Sequence, residues 1–418
     1  MRVAVFGQTL FSAVISGLLS ECGHQIYWCD ALKQPSIENS YVRDEAVKQL
    51  LDKQEKSGFL QYCNFNELST DIDAYFFSFN PTQITDGLEL LKALKLRPII
   101  HPKLMINAST LGLNGTDQLE KILPQDHWIY LPDVIQEGNA LHSFVSTKQL
   151  VVGCSSEIAQ VKLKELLRPL FPREQQYLFM PKLDAEFTKL SVSGMLATRI
   201  SYINDLAVMA EKLGIDIEYV RQGMAADSRI GSSYLYPGAG FGGENFSHDI
   251  LTLTNTVTEI GMKSQLLSQV WDINEQQKEI LFRKLWNYYH GDLTTKTVAI
   301  WGASFKENSS RIQQSPIHAM LKALWAQGVI VKLHDPQALF EIEKIYGQRD
   351  DLIYCMDQYQ AIEHADALCL LTGWKQYWSP NYALMLENMK HPLILDGRNI
   401  YNPEYVKAQG FAYFGVGR

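Results

Sequence analysis

The chain has 418 residues, of which 46% are apolar and 20% charged, and it carries a formal net charge of -8 with a pI near 5.7. This length predicts two or three domains, and the apolar share excludes a disordered chain. The acidic balance argues against a nucleic-acid partner, and no run of about 18 apolar residues exists that would span a membrane.

The start of the chain and its cysteines favour a reduced, cytoplasmic protein. The opening MRVAVFG runs directly into a strand pattern, without the basic and small-residue segments of a signal peptide. The six cysteines are scattered and include no CxxC pair. We therefore expect neither a disulfide framework nor a metal site.

The N-terminal region has the layout of a dinucleotide-binding βαβ unit. Two short apolar runs, at 2–6 and 25–29, flank a helical pattern, and Asp30 follows the second run, where an acid would accept hydrogen bonds from an adenosine ribose. Only Gly7 remains of the glycines expected in the first turn, because Thr9 and Ser12 replace the others. On these residues alone, a βαβ unit that binds no nucleotide is an equal alternative.

Apolar runs alternate with helical patterns as far as residue 153 and predict a mostly parallel sheet. The candidate strands after the first two lie at 74–79, 104–108, 128–131 and 149–153. Ligands bind at the carboxyl ends of such strands, which is where Thr110, Asp133 and Glu137 occur. Each of these residues taken singly is also compatible with a solvated loop.

A long helical pattern runs from Asp184, a candidate N-cap, to Gly214. A helix of this length spans about 45 Å. That length favours a spine between domains and a homodimer seam over a helix buried within one domain. Lys189 and Ser193 lie one turn apart on this helix and therefore share a face.

The window from Asp227 to Asp249 is dense in glycine and reads DSRIGSSYLYPGAGFGGENFSHD. Gly240, Gly242 and Gly243 are its closest-spaced members. Because glycine carries no side chain and admits positive φ, such a run lets the backbone approach a ligand closely. On spacing alone, a glycine-rich surface loop is the alternative.

A second α/β pattern follows the GDLTTK segment at 291–296, which breaks the preceding helical pattern of about 251–290. Its candidate strands lie at 297–301, 328–333, 367–371 and 393–395, and a helix begins at Ser315-Pro316. The sequence therefore predicts an α/β fold with two doubly wound, Rossmann-like parallel-sheet domains, joined by a long central helix and a helical middle domain.

In order and spacing, several segments together resemble the UDP-glucose/GDP-mannose dehydrogenase family over nearly the whole chain. These segments are AEFTKLSVSGMLATRISYIND (185–205), DSRIG (227–231), PGAGFGGENF (237–246), WGASFKENSSRIQQSP (301–316), HDP (334–336), DALCLLTGW (366–374) and DGRNIY (396–401). The resemblance implies an NAD-binding domain at 1–183, a helical dimerisation domain at 184–292 and a nucleotide-sugar-binding domain at 293–418. Members of this family oxidise the sugar's primary alcohol to a carboxylate with two NAD and a cysteine nucleophile.

The resemblance also implies roles for individual residues. The NAD site would comprise Gly7, Thr9, Ser12, Asp30, Thr110 and Glu137, with Thr9 and Ser12 in place of glycines. The nucleotide-sugar site would comprise Arg229, Gly240, Gly242, Gly243, Lys306 and Arg398. The catalytic group would comprise Lys189, Asp249, Thr110, Asp133 and Ser193, with Asn245 at the position of the cysteine nucleophile.

Asn245 determines which chemistry the sequence permits. In the first oxidation Lys189 would polarise the developing oxyanion, while Asp249 or Asp133 would hold a water as base, and no thiol is needed. The second oxidation ordinarily requires a thiolate that adds to the aldehyde, and an asparagine amide is not a usable nucleophile. Oxidation of the aldehyde hydrate remains as a much slower route.

Three interpretations follow from the residues. The first is an NAD-linked oxidoreductase on a nucleotide sugar that stops at the aldehyde or acts through its hydrate. The second is a non-catalytic nucleotide-sugar-binding or regulatory homologue, and the third is an unrelated two-domain NAD enzyme. We expect weak NAD binding because Thr9 and Ser12 crowd the phosphate turn, and we expect a homodimer formed through the central helix.

Overall fold

The computed structural model describes residues 1–29, 44–259, 261–262 and 265–418. These residues form two compact units, Met1–Val192 and Ser193–Arg418. The division between the two units falls inside the longest helix of the chain. The predicted three-domain division, with boundaries after residues 183 and 292, stays a prediction.

Eight strands form the sheet of the first unit. They are β1 (Arg2–Phe6), β2 (Gln25–Cys29), β3 (Leu60–Cys63), β4 (Ala74–Phe77), β5 (Leu104–Asn107), β6 (His127–Tyr130), β7 (Leu150–Gly153) and β8 (Tyr177–Met180). Their order is β3-β2-β1-β4-β5-β6-β7-β8, and every neighbouring pair is parallel except β6 with β7. The first six strands thus form a doubly wound sheet whose order reverses between β1 and β4.

Six helices belong wholly to the first unit. They are α1 (Leu10–Glu21), α2 (Glu45–Lys56), α3 (Ile84–Lys95), α4 (Gly115–Glu120), α5 (Ala140–Val145) and α6 (Glu157–Leu167). The central strands β4 and β5 are buried at every position, as expected for a parallel sheet covered on both faces. Phe11 of α1 packs edge-on against Phe76 of β4, with 5.5 Å between ring centroids, and so joins one helical layer to the sheet.

The longest helix, α7 (Lys182–Leu213), has 32 residues and spans about 48 Å. It begins two residues before the predicted N-cap Asp184, which therefore lies in its first turn, and the N-cap prediction was wrong. The reason is local, since the main-chain N–H of Ala185 already donates to the carbonyl of Pro181 at 3.1 Å. Asp184 still favours the helix there, because a negative charge in the first turn complements the helix dipole.

A buried carboxylate fixes the start of α7 within the first unit. Glu186 accepts hydrogen bonds from the main-chain N–H and the hydroxyl of Thr116 at 2.8 and 2.7 Å. Burial raises the pKa of Glu186, because desolvation of the carboxylate outweighs these two bonds. Lys182 forms an ion pair with Asp117 at 2.8 Å and a second one with Glu120. The long helix therefore has a firm anchor on α4.

Six strands form the sheet of the second unit. They are β9 (Thr297–Trp301), β10 (Ile330–His334), β11 (Leu352–Tyr354), β12 (Ala367–Leu370), β13 (Leu393–Asp396) and β14 (Ala412–Phe414). Their order is β11-β10-β9-β12-β13-β14 and all neighbours are parallel. This is the same doubly wound order as in the first unit, with its reversal between β9 and β12.

The helices of the second unit follow the C-terminal part of α7. They are α8 (Ile217–Ala226), α9 (Glu244–Glu259), α10 (Gln265–Gln277), α11 (Ile280–Tyr288), α12 (Pro316–Trp325), α13 (Leu339–Tyr346), α14 (Gln358–Ile362), α15 (Tyr382–Asn388) and α16 (Pro403–Ala408). The predicted helical stretch of about 251–290 is divided among α9, α10 and α11. The predicted start of α12 is confirmed, since the Ser315 hydroxyl caps it by accepting the Ile317 N–H at 3.3 Å.

A glycine follows the first strand of each sheet at the point where the strand order reverses. Gly7 has φ +98°, and a Cβ there would lie 1.8 Å from the carbonyl oxygen of Ser78. Gly302 has φ +97°, and a Cβ there would lie 2.4 Å from the side chain of Thr372. In both sheets, therefore, only glycine allows the ends of the two central strands to come this close.

The predicted fold class is confirmed. Every strand predicted from the sequence is present, and β1, β2 and β9 have the predicted bounds. Among the described residues, no helix is long and apolar enough to cross a membrane, and no group of three or more His, Cys, Asp and Glu side chains is arranged to hold a metal ion.

Candidate functional site

Hydroxyl groups surround the N-terminus of α1, where the first unit would meet a phosphate. The Thr9 hydroxyl caps the helix by accepting the Ser12 N–H at 3.0 Å. It also lies 3.0 Å from the Ser12 hydroxyl and 2.5 Å from the Ser78 hydroxyl, and all three residues are buried. One of the main-chain donors that a phosphate would use here, the Ser12 N–H, is therefore already satisfied by Thr9.

Some features of the turn after β1 fit a bound dinucleotide, and one feature does not. The doubly wound order and the positive φ of Gly7 fit it, and the Gly7 carbonyl is fixed by a 2.9 Å hydrogen bond from the Trp28 indole. The capping by Thr9 opposes it. The predicted ribose acid Asp30 lies outside the described residues.

The other predicted residues of the first unit follow neighbouring parallel strands. Thr110 comes after β5, is buried, and donates its N–H to the Phe79 carbonyl at 3.1 Å. Asp133 comes after β6 and accepts the Ile135 N–H at 3.1 Å, while Glu137 is partly buried in the same segment. Because β5 and β6 are parallel neighbours, Thr110 and Asp133 leave the sheet at the same edge.

In the second unit, one buried carboxylate organises the loop after β9. Asp335, which follows β10, accepts the N–H groups of Ala303 and Ser304 at 2.7 and 3.0 Å through one oxygen. The same oxygen accepts the Ser304 hydroxyl and the Trp374 indole, each at 3.1 Å. The second oxygen accepts the N–H groups of Gln337 and Ala338, each at 2.8 Å. A carboxylate used so fully is structural, and it fixes the backbone that leads to Lys306.

Arg398 lies beside this loop, in the turn after β13. Its guanidinium donates to the carbonyls of Leu371 at 2.7 Å and Phe305 at 3.1 Å. Burial lowers the pKa of this guanidinium, because desolvation disfavours its charged form. Among the described residues, no carboxylate forms an ion pair with Arg398. Arg398 is thus a partly buried cation whose direct hydrogen bonds go to carbonyl oxygens, while Glu307 and Asp396 act on it only as neighbouring charges, an arrangement that leaves room for an anionic ligand.

The glycine-rich loop packs directly on these turns. A Cβ at Gly238 would lie 2.9 Å from the Gly397 carbonyl, which also accepts the Ala239 N–H at 2.9 Å. A Cβ at Gly242 would lie 2.5 Å from the Gln314 carbonyl, and one at Gly243 would lie 3.0 Å from the Phe305 ring. The close approach that these glycines allow is therefore made to other parts of the protein.

Amide side chains hold the loop from its other side. Asn274 accepts the Phe241 N–H at 2.7 Å and donates to the Phe241 carbonyl at 3.2 Å. Gln277 donates to the Gly238 carbonyl at 2.8 Å, and a Cβ at Gly240 would lie 3.0 Å from the Asn274 side-chain oxygen. Contact of Gly240, Gly242 and Gly243 with a substrate stays a prediction.

Polar groups meet at the start of α9. Asp249 is 2% exposed and accepts the Ser193 hydroxyl at 2.8 Å, which joins α9 to α7 within the second unit. Asn245 lies one turn before Asp249 and so shares its face. Among the described residues, the Asn245 side-chain oxygen and the Ser247 hydroxyl are buried without a hydrogen-bond partner. The residue at the predicted nucleophile position is thus a partly buried amide whose side-chain oxygen is unsatisfied.

The remaining predicted cations have different surroundings. Lys189 is partly buried on α7, and Lys306 is partly buried with its ammonium 5.9 Å from the centre of the Phe305 ring. The side chain of Arg229 is 87% exposed and pairs with Asp227 at 2.6 Å. None of the contacts described for Arg229 joins it to Lys306 or Arg398, so its binding role stays a prediction.

Sequence reasoning missed the residues that support this site. From the sequence, no role was predicted for Asp335, Asn274 or Gln277. These three residues nevertheless fix the loops around Arg398. A signal existed for Asp335 alone, because it directly follows an apolar strand in one of the segments that carry the family resemblance. The sequence contains no comparable signal for Asn274 and Gln277 on α10, because their hydrogen-bond partners are distant in sequence.

Two family models match the chain. Residues 183–276 match the central domain of the UDP-glucose/GDP-mannose dehydrogenase family, and residues 299–403 match its UDP-binding domain.

Two curated relatives illustrate the similarity in sequence. A UDP-glucose 6-dehydrogenase from Pseudomonas aeruginosa is 36% identical over 293 residues, which cover 69% of this chain and 64% of that relative, slightly less than two thirds of its length. UDP-glucose 6-dehydrogenase TuaD from Bacillus subtilis is 28% identical over 438 aligned positions, covering 100% of this chain and 93% of that one.

The fold has a counterpart among solved structures. A UDP-glucose dehydrogenase from the hyperthermophilic archaeon Pyrobaculum islandicum superposes with a TM-score of 0.86 at 22% identity, covering 100% of this chain and 97% of that one. At this identity the similarity concerns the fold alone. With the matching family models and relatives, the resemblance found in the sequence is confirmed: the chain belongs to the UDP-glucose/GDP-mannose dehydrogenase family.

Proposed function

We propose that this protein binds a nucleoside-diphosphate sugar in its second unit and oxidises the sugar's primary alcohol with NAD, with the second, covalent oxidation absent. The partly buried guanidinium of Arg398, whose direct hydrogen bonds go to two carbonyls, is the observation that carries the proposal. A diphosphate supplies directly bonded anionic oxygens, which no described carboxylate gives this cation. The names of the relatives, UDP-glucose 6-dehydrogenases, agree with this class of ligand.

The placement of Arg398 supports a nucleotide rather than a small anion. It lies after β13, beside the turn after β9, at the edge of the sheet where doubly wound folds bind nucleotides. The same turn carries Lys306, a second cation. Asp335 and the packed glycines hold this edge in place before a ligand arrives, which reduces the ordering that binding requires.

The first oxidation can be assigned to residues that are present. NAD, when bound, supplies the hydride acceptor. In the proposal, Asp249 takes up the proton of the alcohol directly or through a water, and the Ser193 hydroxyl orients this carboxylate through their 2.8 Å bond.

The second oxidation lacks its usual nucleophile in this proposal. Asn245 holds an amide at the position where the family resemblance implies a cysteine, and an amide does not add to an aldehyde. All six cysteines are assigned to other places, on or beside α1, β2, β3, β7, β11 and β12. The aldehyde is thus the expected product, with slow acid formation through its hydrate.

A second candidate function is binding of the nucleotide sugar without turnover. The capping of α1 by Thr9 and the amide at Asn245 both favour it, because one opposes NAD binding and the other removes covalent catalysis. NADH production with a panel of nucleotide sugars, followed by identification of aldehyde or acid, distinguishes the two candidates.

We also propose a homodimer through α7. Met195, Tyr202 and Met209 are 63%, 53% and 47% exposed and recur at seven-residue steps, which place them on one face of the helix. An exposed apolar stripe of this kind is typical of a helix that packs against another chain.

The proposed ligand gives a first prediction. A nucleoside-diphosphate sugar at saturating concentration should raise the Tm by about 4 °C or more, because it binds only the folded state. Lys306→Met should abolish most of this rise, whereas Lys344→Met, which removes an exposed lysine of α13, should leave it intact. Differential scanning fluorimetry measures both, and a flat response across UDP-sugars and GDP-sugars would contradict the proposal.

The capped helix gives a second prediction, that NAD binds weakly and that Thr9→Gly strengthens binding about tenfold. The reason is that glycine frees the Ser12 N–H for a phosphate oxygen at little cost to the helix. Ser156→Gly removes the equivalent cap from α6 and should not change the Kd for NAD. Isothermal titration calorimetry decides, and tight binding by the unaltered protein would show that the interpretation of this turn is wrong.

A third prediction concerns the missing nucleophile. Asn245→Cys should raise acid formation about tenfold or more, because a thiolate there opens the covalent route. Ser247→Cys places a thiol two residues further along α9, at another buried position, and should give no gain. Product analysis with NADH counted per sugar separates the cases. Equal activity of both variants would mean that the deficit extends beyond Asn245.

The homodimer gives a fourth prediction. Tyr202→Glu should halve the particle mass in solution, because it places a charge in the apolar stripe of α7. Tyr219→Glu changes an equally aromatic and more exposed residue of α8, at 74% exposure, and should leave the dimer intact. Sedimentation velocity over a concentration series provides the measurement, and a monomeric unaltered protein would refute the proposal.

A further inference from the structure

Two cysteines meet at the ends of neighbouring strands in the first unit. Cys29 is the last residue of β2 and Cys63 the last of β3, and they are direct partners in the parallel register. Their sulfur atoms are 2.7 Å apart. The described residues include all six cysteines, and no other two of these sulfurs are in contact.

The two thiols differ in accessibility. Cys29 is fully buried, whereas Cys63 is 9% exposed and lies on β3, the edge strand of the sheet. A reagent from solution therefore reaches Cys63 first. Cys29 then lies within bonding reach of whatever forms on the Cys63 sulfur, because a small movement converts the observed contact into a covalent bond.

The contact between the two sulfurs favours the same division of roles. Either thiol can donate to the other, and the hydrogen bond between them lowers the pKa of Cys63 and raises that of Cys29. Arg97 adds positive charge, and its guanidinium is held by the carbonyls of Phe65 and Leu68 directly after β3. Burial and Glu67 raise the pKa of Cys63, and each is a larger influence than Arg97 but a smaller one than the hydrogen bond with Cys29. Cys63 is thus the attacking thiolate of the pair.

We propose that Cys29 and Cys63 form a reversible intramolecular disulfide by exchange with a low-molecular-mass disulfide. This site is independent of the nucleotide-sugar chemistry, since both residues lie in the first unit and neither is assigned a role in oxidation of the sugar. The six cysteines are scattered in the sequence, but the fold brings the sulfur atoms of Cys29 and Cys63 into contact.

The exchange proceeds in two balanced steps. The Cys63 thiolate attacks one sulfur of the small disulfide, forms a mixed disulfide and releases the other half as a thiolate. The Cys29 sulfur, as its proton leaves, attacks the Cys63 sulfur and expels the second half as a thiol. Overall, two protein thiols are oxidised by two electrons, and one small disulfide is reduced to two small thiols.

Cys22 provides an internal comparison. It is more exposed than Cys63, but burial and the neighbouring Glu21 raise the pKa of its thiol. Exposure alone would make Cys22 the first thiol to react, whereas the pairing of Cys29 with Cys63 makes Cys63 the first. The order of reaction therefore separates the proposal from unspecific oxidation of an accessible thiol.

The test treats the full-length protein with glutathione disulfide, removes the reagent, and counts thiols after denaturation and alkylation. The count should fall by two, from six to four, and return to six after dithiothreitol. Peptide mapping without reduction should recover the peptides of Cys29 and Cys63 joined to each other. Cys29→Ser should stop at a mixed disulfide on Cys63, while Cys22→Ser should behave as the unaltered protein.

The opposite results overturn the proposal. These are a count that stays at six, a joined peptide that involves any other cysteine, or a mixed disulfide that accumulates on Cys22 ahead of Cys63. Circular dichroism verifies that Cys29→Ser is folded. Where that variant does not fold, the peptide map of the unaltered protein still decides between the outcomes.

Discussion

The Asp335 carboxylate is the constraint on which the edge of the second unit that carries Arg398 depends. It receives six hydrogen bonds, four of them from main-chain N–H groups, and is buried after β10. Such a carboxylate fixes the path of the chain after β9. Thr372 reinforces this path by donating to the Ser304 carbonyl at 2.6 Å. The position of the Phe305 carbonyl, and with it one support of Arg398, follows from this network.

The glycines of the loop have a different structural role from the ligand contact that their spacing in the sequence suggests. A ligand-binding glycine loop predicts open space beside the backbone, whereas Gly238, Gly242 and Gly243 lie against protein atoms. Their packing presses the loop onto Arg398 and the turn after β9. The loop is therefore held in place by close packing against its own protein, and it needs no ligand to take up its position.

The sequence predicted what depends on local pattern and missed what depends on distant partners. β1 and β2 were predicted with their bounds because each is an apolar run between turn signals. The edge strand β3 reads LQYC, has only its two end residues buried, and was not predicted. Thr9 was recognised as a lost glycine, but its capping bond appears only when α1 is built. The contact of Cys29 with Cys63 depends on the register of β2 with β3, which no local pattern encodes.

The departures from the family pattern act at separate stages, and this separation explains how binding can outlast oxidation. Thr9 affects only the first unit, where NAD would bind. Asn245 affects a step that begins after an aldehyde exists. The position of the Arg398 side chain depends on Asp335, Phe305 and Leu371, and it involves neither Thr9 nor Asn245. In the proposed function, the changes at Thr9 and Asn245 therefore lower the rate of sugar oxidation and leave the affinity for a diphosphate unchanged. The reason is that the residues proposed to hold the anion are not the residues proposed to act in the oxidation.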